Sequence, residues 1–369
     1  MPFVTLSQGT YWQQAVDYTM EIDVDVEKHQ FSGHQILRYT NNSPDTLHKV
    51  YYHLYFNAFQ PDGMMDVRSR SIEDPDDRVM DRISKLKDDE IGYHIIENLS
   101  QEGAELSFNI EYTVLEVELA HPILPGSTTE LNMNFKSQIP VQIRRSGRDN
   151  KEGISYSMAQ WYPKIAAYDT RGWHAEPYVA REFYAPWGQF DVSITIDKNY
   201  VVAASGILEN NNAIGYGYQD DPLIDQKHKG RKLTWHFVNE KAHDFMWAAD
   251  PDYIHQIAQV PNGPKLHFFY QQGQATRHWE KLPEIIIAAF QYMNTHFGAY
   301  PFSDFYVIQG GDGGMEYPMS TLITGNRDLS SLVGVTVHEA LHSWYQGVLA
   351  TNESYYHWMD EGYTSYASS

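Results

Sequence analysis

Residues 16–26 read Val-Asp-Tyr-Thr-Met-Glu-Ile-Asp-Val-Asp-Val, and apolar and polar side chains alternate through the whole stretch. Successive side chains of a β-strand point to opposite faces of a sheet, so this period of two separates the apolar residues from the acidic ones. The stretch therefore predicts a strand with one buried face and one solvated, acidic face.

The sequence around this strand has the same character. Residues 31–39 are predicted to form its partner, which ends at the turn-forming residues 41–45, Asn-Asn-Ser-Pro-Asp. Further alternation occurs at residues 131–135 and 190–196, whereas the highly charged residues 73–90 are predicted to be an exposed loop or insertion. Many strands separated by turns predict antiparallel sheets arranged as a sandwich or saddle.

Chain length predicts more than one structural unit. A chain of 369 residues exceeds one ordinary hydrophobic core. Its character changes after the turn-rich residues 261–264, Pro-Asn-Gly-Pro. We therefore expect a β-sheet domain over residues 1–260 and a mixed α/β domain over residues 261–369, which together give a β + α/β fold class.

Composition excludes several functional classes. The net charge of −21 disfavours nucleic acid and anionic membranes as partners, because both would repel the chain. The absence of cysteine excludes disulfides, zinc–cysteine clusters and thiol nucleophiles. No apolar run is long enough to span a membrane, and residues 1–8 lack the features of a signal peptide. The protein is either cytoplasmic or exported with its signal removed, and its oligomeric state is left open.

The second unit alternates helices and strands. Pro283 and Gly298 suit the first turn and the carboxyl cap of a buried helix between them. A short strand at residues 305–308 leads into a glycine-rich loop, and a second strand follows at residues 321–324. A helix capped by Asp328 or Ser330 is then expected to cover residues 332–348 and to be buried, because its apolar residues surround most of its circumference.

This last helix carries His338-Glu339-Ala340-Leu341-His342. Two histidines four residues apart project from one helix face, and Glu361, on a helix expected to begin near Trp358, would complete a three-ligand set for one Zn²⁺ with an open fourth position. A solvated helix face can carry such a pentapeptide without a metal, but buried histidines and glutamate need a partner. The pattern indicates a catalytic zinc site in which Glu339 is the general base.

Three motifs together resemble one known family. Gly313-Gly314-Met315-Glu316-Tyr317, the helix motif 338–344 and Trp358-Met359-Asp360-Glu361-Gly362 are similar in order and separation to those of the aminopeptidase N and leukotriene-hydrolase family of gluzincin metallopeptidases. The strong resemblance covers about residues 265–369. It implies an amino-terminal β-saddle followed by a thermolysin-like catalytic domain.

The resemblance also assigns roles to residues. It implies that His338, His342 and Glu361 bind zinc and that Glu339 activates water. Glu316 would hold the α-amino group of a peptide with a free amino terminus, and a carboxylate beside the site suits that ammonium group. The backbone around Gly313, Gly314 and Met315 would bind the extended peptide. Gln160 could grip the amino group as well, although a buried structural amide is an equally good interpretation.

Two departures from the family pattern bear on activity. Tyr317 replaces the usual asparagine, and the tyrosine that stabilises the oxyanion in the family would lie past Ser369, since Tyr363 and Tyr366 both fall within the Glu361 helix. We therefore expect the chain to be a fragment that lacks part of the catalytic domain. The leading hypothesis is a zinc aminopeptidase, and the alternatives are a thermolysin-like endopeptidase, an epoxide hydrolase activity and a non-catalytic, zinc-containing peptide-binding protein or fragment.

Overall fold

A computed structural model describes residues 11–179, 183–220 and 228–369 of the chain. Its largest element is an eight-stranded sheet, in the order β16-β17-β14-β1-β2-β8-β4-β5. The strands are β1 (Ala15–Asp25), β2 (Gln30–Thr40), β4 (Tyr93–Gln101), β5 (Ala104–Glu105), β8 (Thr128–Gln138), β14 (Trp187–Asp197), β16 (Ile207–Leu208) and β17 (Lys232–Ala242). Neighbours in this sheet are antiparallel, as predicted, except β1 and β14, which run parallel.

The strand predicted from residues 16–26 is confirmed as β1. Its apolar residues are buried and the residues between them are exposed. The buried ones are Val16, Tyr18, Met20, Ile22 and Val24. The predicted partner is also confirmed, because β2 pairs with β1 in antiparallel register from Ala15 opposite Thr40 to Asp25 opposite Gln30. Val26, the last residue of the predicted strand, falls in the turn one residue past the end of β1.

Three smaller sheets complete the β-rich part of the chain. Two are four-stranded, ordered β11-β3-β7-β6 and β15-β18-β10-β9, and one has only β12 and β13. Their strands are β3 (Leu47–His53), β6 (Phe108–Glu111), β7 (Val114–Ile123), β9 (Gly147–Arg148), β10 (Tyr156–Met158), β11 (Lys164–Ile165), β12 (Tyr168–Asp169), β13 (Gly172–Trp173), β15 (Val201–Ala204) and β18 (Trp247–Asp250). A continuous apolar core joins these sheets to the eight-stranded one and reaches Met315, Tyr317 and Leu322 in the later part of the chain.

The later part of the chain is α/β, as predicted. A five-stranded sheet in the order β19-β20-β21-β23-β22 is built from β19 (Tyr253–Gln259), β20 (Lys265–Gln271), β21 (Asp304–Gln309), β22 (Gly314–Tyr317) and β23 (Ser320–Ile323). The sheet is mixed, because β20, β21 and β23 are parallel whereas β19 and β22 are antiparallel to their neighbours. Within the described residues β22 is at the edge of the sheet, so one side of its backbone is free to pair.

The residues predicted to separate two domains form the hairpin turn between β19 and β20. The Val260 amide donates to the Pro264 carbonyl, and the Gly263 amide donates to the Val260 carbonyl. One strand before residue 261 therefore pairs with one after it. The division of the chain at residues 260 and 261 stays a prediction.

Six α-helices lie among the described residues. They are α1 (Met64–Ser71), α2 (Asn211–Ile214), α3 (Leu282–His296), α4 (Leu329–Leu341), α5 (Gln346–Leu349) and α6 (Tyr363–Ser368), with single turns of 3₁₀ helix at Tyr55–Ala58, Ile83–Lys85, Arg277–Lys281 and His342–Trp344 and a π-helical turn at Trp358–Gly362. Helices α3 and α4 pack on the five-stranded sheet around a second apolar core that includes Phe268, Ile286, Phe290 and Leu332. The helix predicted between Pro283 and Gly298 is confirmed as α3, although only one face of it is fully buried.

The helix predicted over residues 332–348 is wrong at its carboxyl end. It ends at Leu341, and a 3₁₀ turn follows before the backbone breaks at Tyr345, whose φ and ψ are −110° and −95°. Val348 and Leu349, expected to be buried, are 55% and 52% exposed. The sequence stays apolar past Leu341, but the α-helix ends there.

Two other predictions concern exposed segments. Residues 73–90 are mostly loop, as expected, but Val79 and Ile83 are buried and anchor it to the core. The amino-terminal residues read for a signal peptide lie outside the described residues. No helix of the described part is both long and apolar enough to cross a membrane.

Candidate active site

The amino terminus of α4 is fixed by a side-chain cap. Asp328 accepts a hydrogen bond from the Ser331 amide at 2.8 Å, which satisfies a donor that the first helical turn leaves free. From this start, His338 and His342 lie one turn apart on the same side of the helix end, with ring centroids 5.0 Å apart and planes at 85°. The predicted Asp328 cap is thus confirmed, and it sets the register that aligns the two imidazoles.

The π-helical turn brings Glu361 to both histidines. Its Oε2 atom lies 3.2 Å from His338 Nε2 and 3.7 Å from His342 Nε2, and the two Nε2 atoms are 3.4 Å apart. Ligand atoms bound at about 2.0–2.1 Å to a tetrahedral Zn²⁺ lie roughly 3.4 Å from one another. The three atoms therefore already have the mutual spacing of a zinc ligand set, and the half-exposed Glu361 leaves the remaining side open.

Asp360 orients His342 from behind. The carboxylate accepts from His342 Nδ1 at 2.6 Å, and both side chains are buried. This bond places the proton on Nδ1 and leaves Nε2 free as a metal ligand. The sequence did not predict a role for Asp360. Its place before Glu361 in the sequence does not show whether its carboxylate hydrogen-bonds a histidine or faces solvent.

The electrostatic environment of His342 suits a cation. Burial lowers its pKa, but the negative charge of Glu316 and the hydrogen bond and charge of Asp360 outweigh that effect and raise the pKa to about 10. A site that holds a proton this strongly stabilises positive charge. The donor set and its surroundings therefore fit a divalent metal.

Glu339 is buried in contact with the edge strand β22. A β-carbon placed on Gly314 would lie 2.2 Å from Glu339 Oε1 and 2.7 Å from Val335 Cγ2, so only glycine allows this approach. Burial raises the pKa of Glu339, against the opposing charges of His342, His338 and Arg145. Its carboxylate also lies within 4.8 Å of ligand atoms of Glu316 and His342. These contacts place the predicted general base beside both the ligand set and the edge strand.

Glu316 lies on β22, two residues beyond Gly314. Its Oε1 atom is 3.6 Å from His342 Nδ1, and burial raises its pKa well above the ordinary value. The carboxylates of Glu353 and Asp360 lie close by, within 4.8 Å. Such a concentration of carboxylates would attract an ammonium group.

Gln160 is buried, and both ends of its amide are paired. Its Nε2 donates to Asp244 Oδ2 at 2.9 Å, and its Oε1 accepts from the Tyr317 hydroxyl at 3.3 Å. Asp244 in turn forms a buried ion pair with Lys164 at 3.0 Å. Gln160 therefore contacts the residue after Glu316, which links β22 to the β-rich part of the chain. Its predicted contact with a substrate amino group stays a prediction.

Arginines from the β-rich part hold the loop before β22, and sequence reasoning missed them. Arg144 forms an ion pair with Asp312, and both side chains are buried. Arg145 Nη1 donates to the Gly314 carbonyl at 2.7 Å. The loop needs this support because Asp312 and Gly313 both have positive φ, at 73° and 93°. Met315, the next predicted site residue, belongs to β22 and its side chain is buried.

No protein-family model and no curated protein matches the chain. Its fold is similar to that of M1 zinc metallopeptidases among solved structures. An enzyme of this kind from Deinococcus radiodurans gives a TM-score of 0.61 at 17% identity, over 96% of this chain and 69% of that one. A variant from the same organism with a bound Tyr-Ser-Ala substrate gives 0.61 at 18%, over 96% and 70%. A two-domain variant bound to L-tryptophan gives 0.60 at 18%, over 97% and 71%.

Proposed function

We propose that this protein is a zinc-dependent aminopeptidase that hydrolyses the amino-terminal peptide bond of peptides. The main support is the geometry of His338, His342 and Glu361, whose three ligand atoms lie 3.2–3.7 Å apart, with the buried Glu339 beside them. The similar fold of M1 zinc metallopeptidases, one of them bound to a tripeptide substrate, supports the same conclusion.

Each residue then has one task. A Zn²⁺ held by the two histidines and Glu361 would supply Lewis acidity, which polarises a carbonyl and lowers the pKa of water towards about 7. Glu339 accepts the proton of the attacking water and delivers it to the departing amine. Asp360 keeps the His342 proton on Nδ1, and Glu316 pairs with the α-ammonium group of the substrate.

Glu316 is the residue that favours an aminopeptidase over an endopeptidase. An endopeptidase binds chain on both sides of the scissile bond and has no use for a buried carboxylate that blocks one side. Here Glu316 lies 3.6 Å from His342, so an ammonium group bound to it stands about one residue from the ligand set. That spacing selects the first peptide bond.

The test combines metal analysis with an aminoacyl-anilide assay. The parent chain should bind one zinc per chain and hydrolyse free-amine substrates, whereas Glu339→Gln should keep the zinc and lose turnover by about 100-fold or more. Glu284→Gln, at an exposed position of α3, is the matched control and should behave as the parent. Full activity of Glu339→Gln would contradict the proposed mechanism.

The same assay distinguishes the rival functions. Glu316→Ala should reduce kcat/KM far more for free-amine substrates than for acetylated ones. Equal loss on both kinds of substrate, with cleavage of acetylated peptides by the parent, would indicate an endopeptidase. Zinc binding with no turnover of any substrate would indicate a peptide-binding protein.

A further inference from the structure

A cavity of about 280 Å³ lies beyond the loop that precedes β22. Its walls come from both parts of the chain and include Arg82, Lys151, Glu152, Asp312 and Gly313. The proposed function does not use this cavity, but Gly313 connects it directly to the edge strand.

The geometry of β22 gives the direction in which a bound peptide must run. Glu316 lies beside His342, whereas Gly314 lies against Glu339. A peptide with its amino group at Glu316 and its first peptide bond at Glu339 therefore runs antiparallel to β22, from Glu316 towards Gly314. At about 3.4 Å per residue, the end of its third residue comes level with Gly313, at the mouth of the cavity.

The carboxylates that line the cavity are already paired. Asp312 forms an ion pair with Arg144, and Arg78 and Arg145 also lie 4.0 Å from it. Glu152 accepts hydrogen bonds from the Gly325 and Asn326 amides at 2.5 and 3.1 Å. The charge of Asp312 is therefore offset by arginine, whereas Glu152 keeps its charge but directs both oxygens at backbone amides.

In contrast to the carboxylates, two cationic side chains of the cavity, Arg82 and Lys151, have no oppositely charged partner among the described residues. Arg82 is held by the carbonyls of Arg78 and Gln142 at 2.6 and 2.8 Å, and no carboxylate of the described chain lies within 4.0 Å of it or of Lys151. In a chain of net charge −21, two cations beside one cavity, with no carboxylate partner in the described chain, indicate an anionic ligand.

We propose that this cavity is a carboxylate subsite, in which Arg82 and Lys151 bind a carboxylate at the third residue of a peptide substrate. The inference rests on the proposed function, since the amino group at Glu316 sets the distance. The carboxylate has two possible sources, the α-carboxylate of a tripeptide or the side chain of an acidic third residue. Either source makes the protein selective for peptides with negative charge three residues from the amino terminus.

Binding to the Glu339→Gln chain tests the subsite without turnover. Isothermal calorimetry should measure three ligands, Leu-Ala-Ala with a free carboxylate, its C-terminal amide, and Leu-Ala-Glu amide. We expect the free acid or the glutamate peptide to bind about tenfold more tightly than the neutral amide, and that preference to weaken with added salt. The tighter of the two charged ligands identifies the source of the carboxylate.

Lys151→Gln should remove most of the preference, because it deletes one cation and leaves the backbone contacts of Arg82 intact. Lys281→Gln, which deletes an exposed lysine at the start of α3, should retain the preference. Equal affinity of the Glu339→Gln chain for all three ligands, or an unchanged preference after Lys151→Gln is added to it, would overturn the subsite. Failure of the proposed function has a different signature, namely no hydrolysis of any peptide by the parent chain.

Discussion

Asp360 contacts a proposed zinc ligand, His342, and would support the site without contacting the metal itself. It is buried, and its Oδ1 is 2.6 Å from His342 Nδ1. Imidazole ligands commonly donate their second N–H to a carboxylate, which fixes the tautomer and makes the ligand nitrogen more basic. The proposed zinc ligands could be predicted from residue spacing, but Asp360 could not, because its contact with His342 depends on the π-helical turn folding against the end of α4.

The contribution of Asp360 can be measured as metal affinity. Asp360→Ala should weaken zinc binding by about 10–100-fold, because His342 loses the partner that orients it. Asp360→Asn, which keeps an acceptor oxygen without the charge, should fall between this variant and the parent. Chelator competition gives the dissociation constants, and Asp77→Ala at an exposed loop position is the control. An Asp360→Ala chain with parental zinc affinity would argue against the orienting role.

At the level of elements, the contact between β22 and α4 brings Glu339, the proposed general base, beside the proposed path of the peptide. Strands such as β1 were predictable because their pattern of buried and exposed residues is local to eleven residues. The end of α4 was not, since the apolar sequence continues to Leu349 while the backbone turns at Tyr345. Strand β22 was likewise not predicted as a strand. Its four residues are too few for an alternating pattern to identify an edge strand.

The close approach of these two elements makes position 314 sensitive to a single methyl group. Gly314→Ala should push Glu339 and Val335 away from the strand and reduce kcat by roughly 100-fold, since small misplacements of a catalytic group are costly. Gly314 has no positive φ, so backbone strain does not contribute. Gly334→Ala is the matched control within α4, where an added methyl group meets nothing within 4 Å. We expect this control to keep its activity and gain up to about 1 kcal/mol of stability.

On the scale of the whole molecule, buried histidines make the β-rich part sensitive to acid. Burial lowers the pKa of His94 to about 3 and, together with the charge of Lys164, that of His53 to about 4. The unfolded chain takes up these protons near pH 6.5, whereas the folded chain does so only near pH 3–4. Between these values the unfolded state binds more protons, so the free energy of unfolding falls as pH falls.

His94→Gln tests this linkage. In the parent, His94 Nδ1 lies 2.6 Å from Ser137 Oγ. A glutamine can keep this hydrogen bond, but it does not titrate. Between pH 6 and pH 4 the variant should lose less stability than the parent, by about 1.4 kcal/mol per pH unit, as measured by urea unfolding at each pH. His48→Gln, at an exposed position of β3, should leave the parental slope unchanged. Parallel pH profiles for parent and His94→Gln would contradict the linkage.

The ion pair between Arg144 and Asp312 has a consequence for engineering. The loop that presents β22 is held on one side by the end of β23 and on the other by residues far away in the amino-terminal half of the chain. A chimaera that joins only residues 261–369 to another β scaffold would leave Asp312 without its cation, Arg144, and the loop less firmly held. Recombination that aims to change substrate preference should therefore carry residues 142–145 together with the glycine loop as one inseparable module.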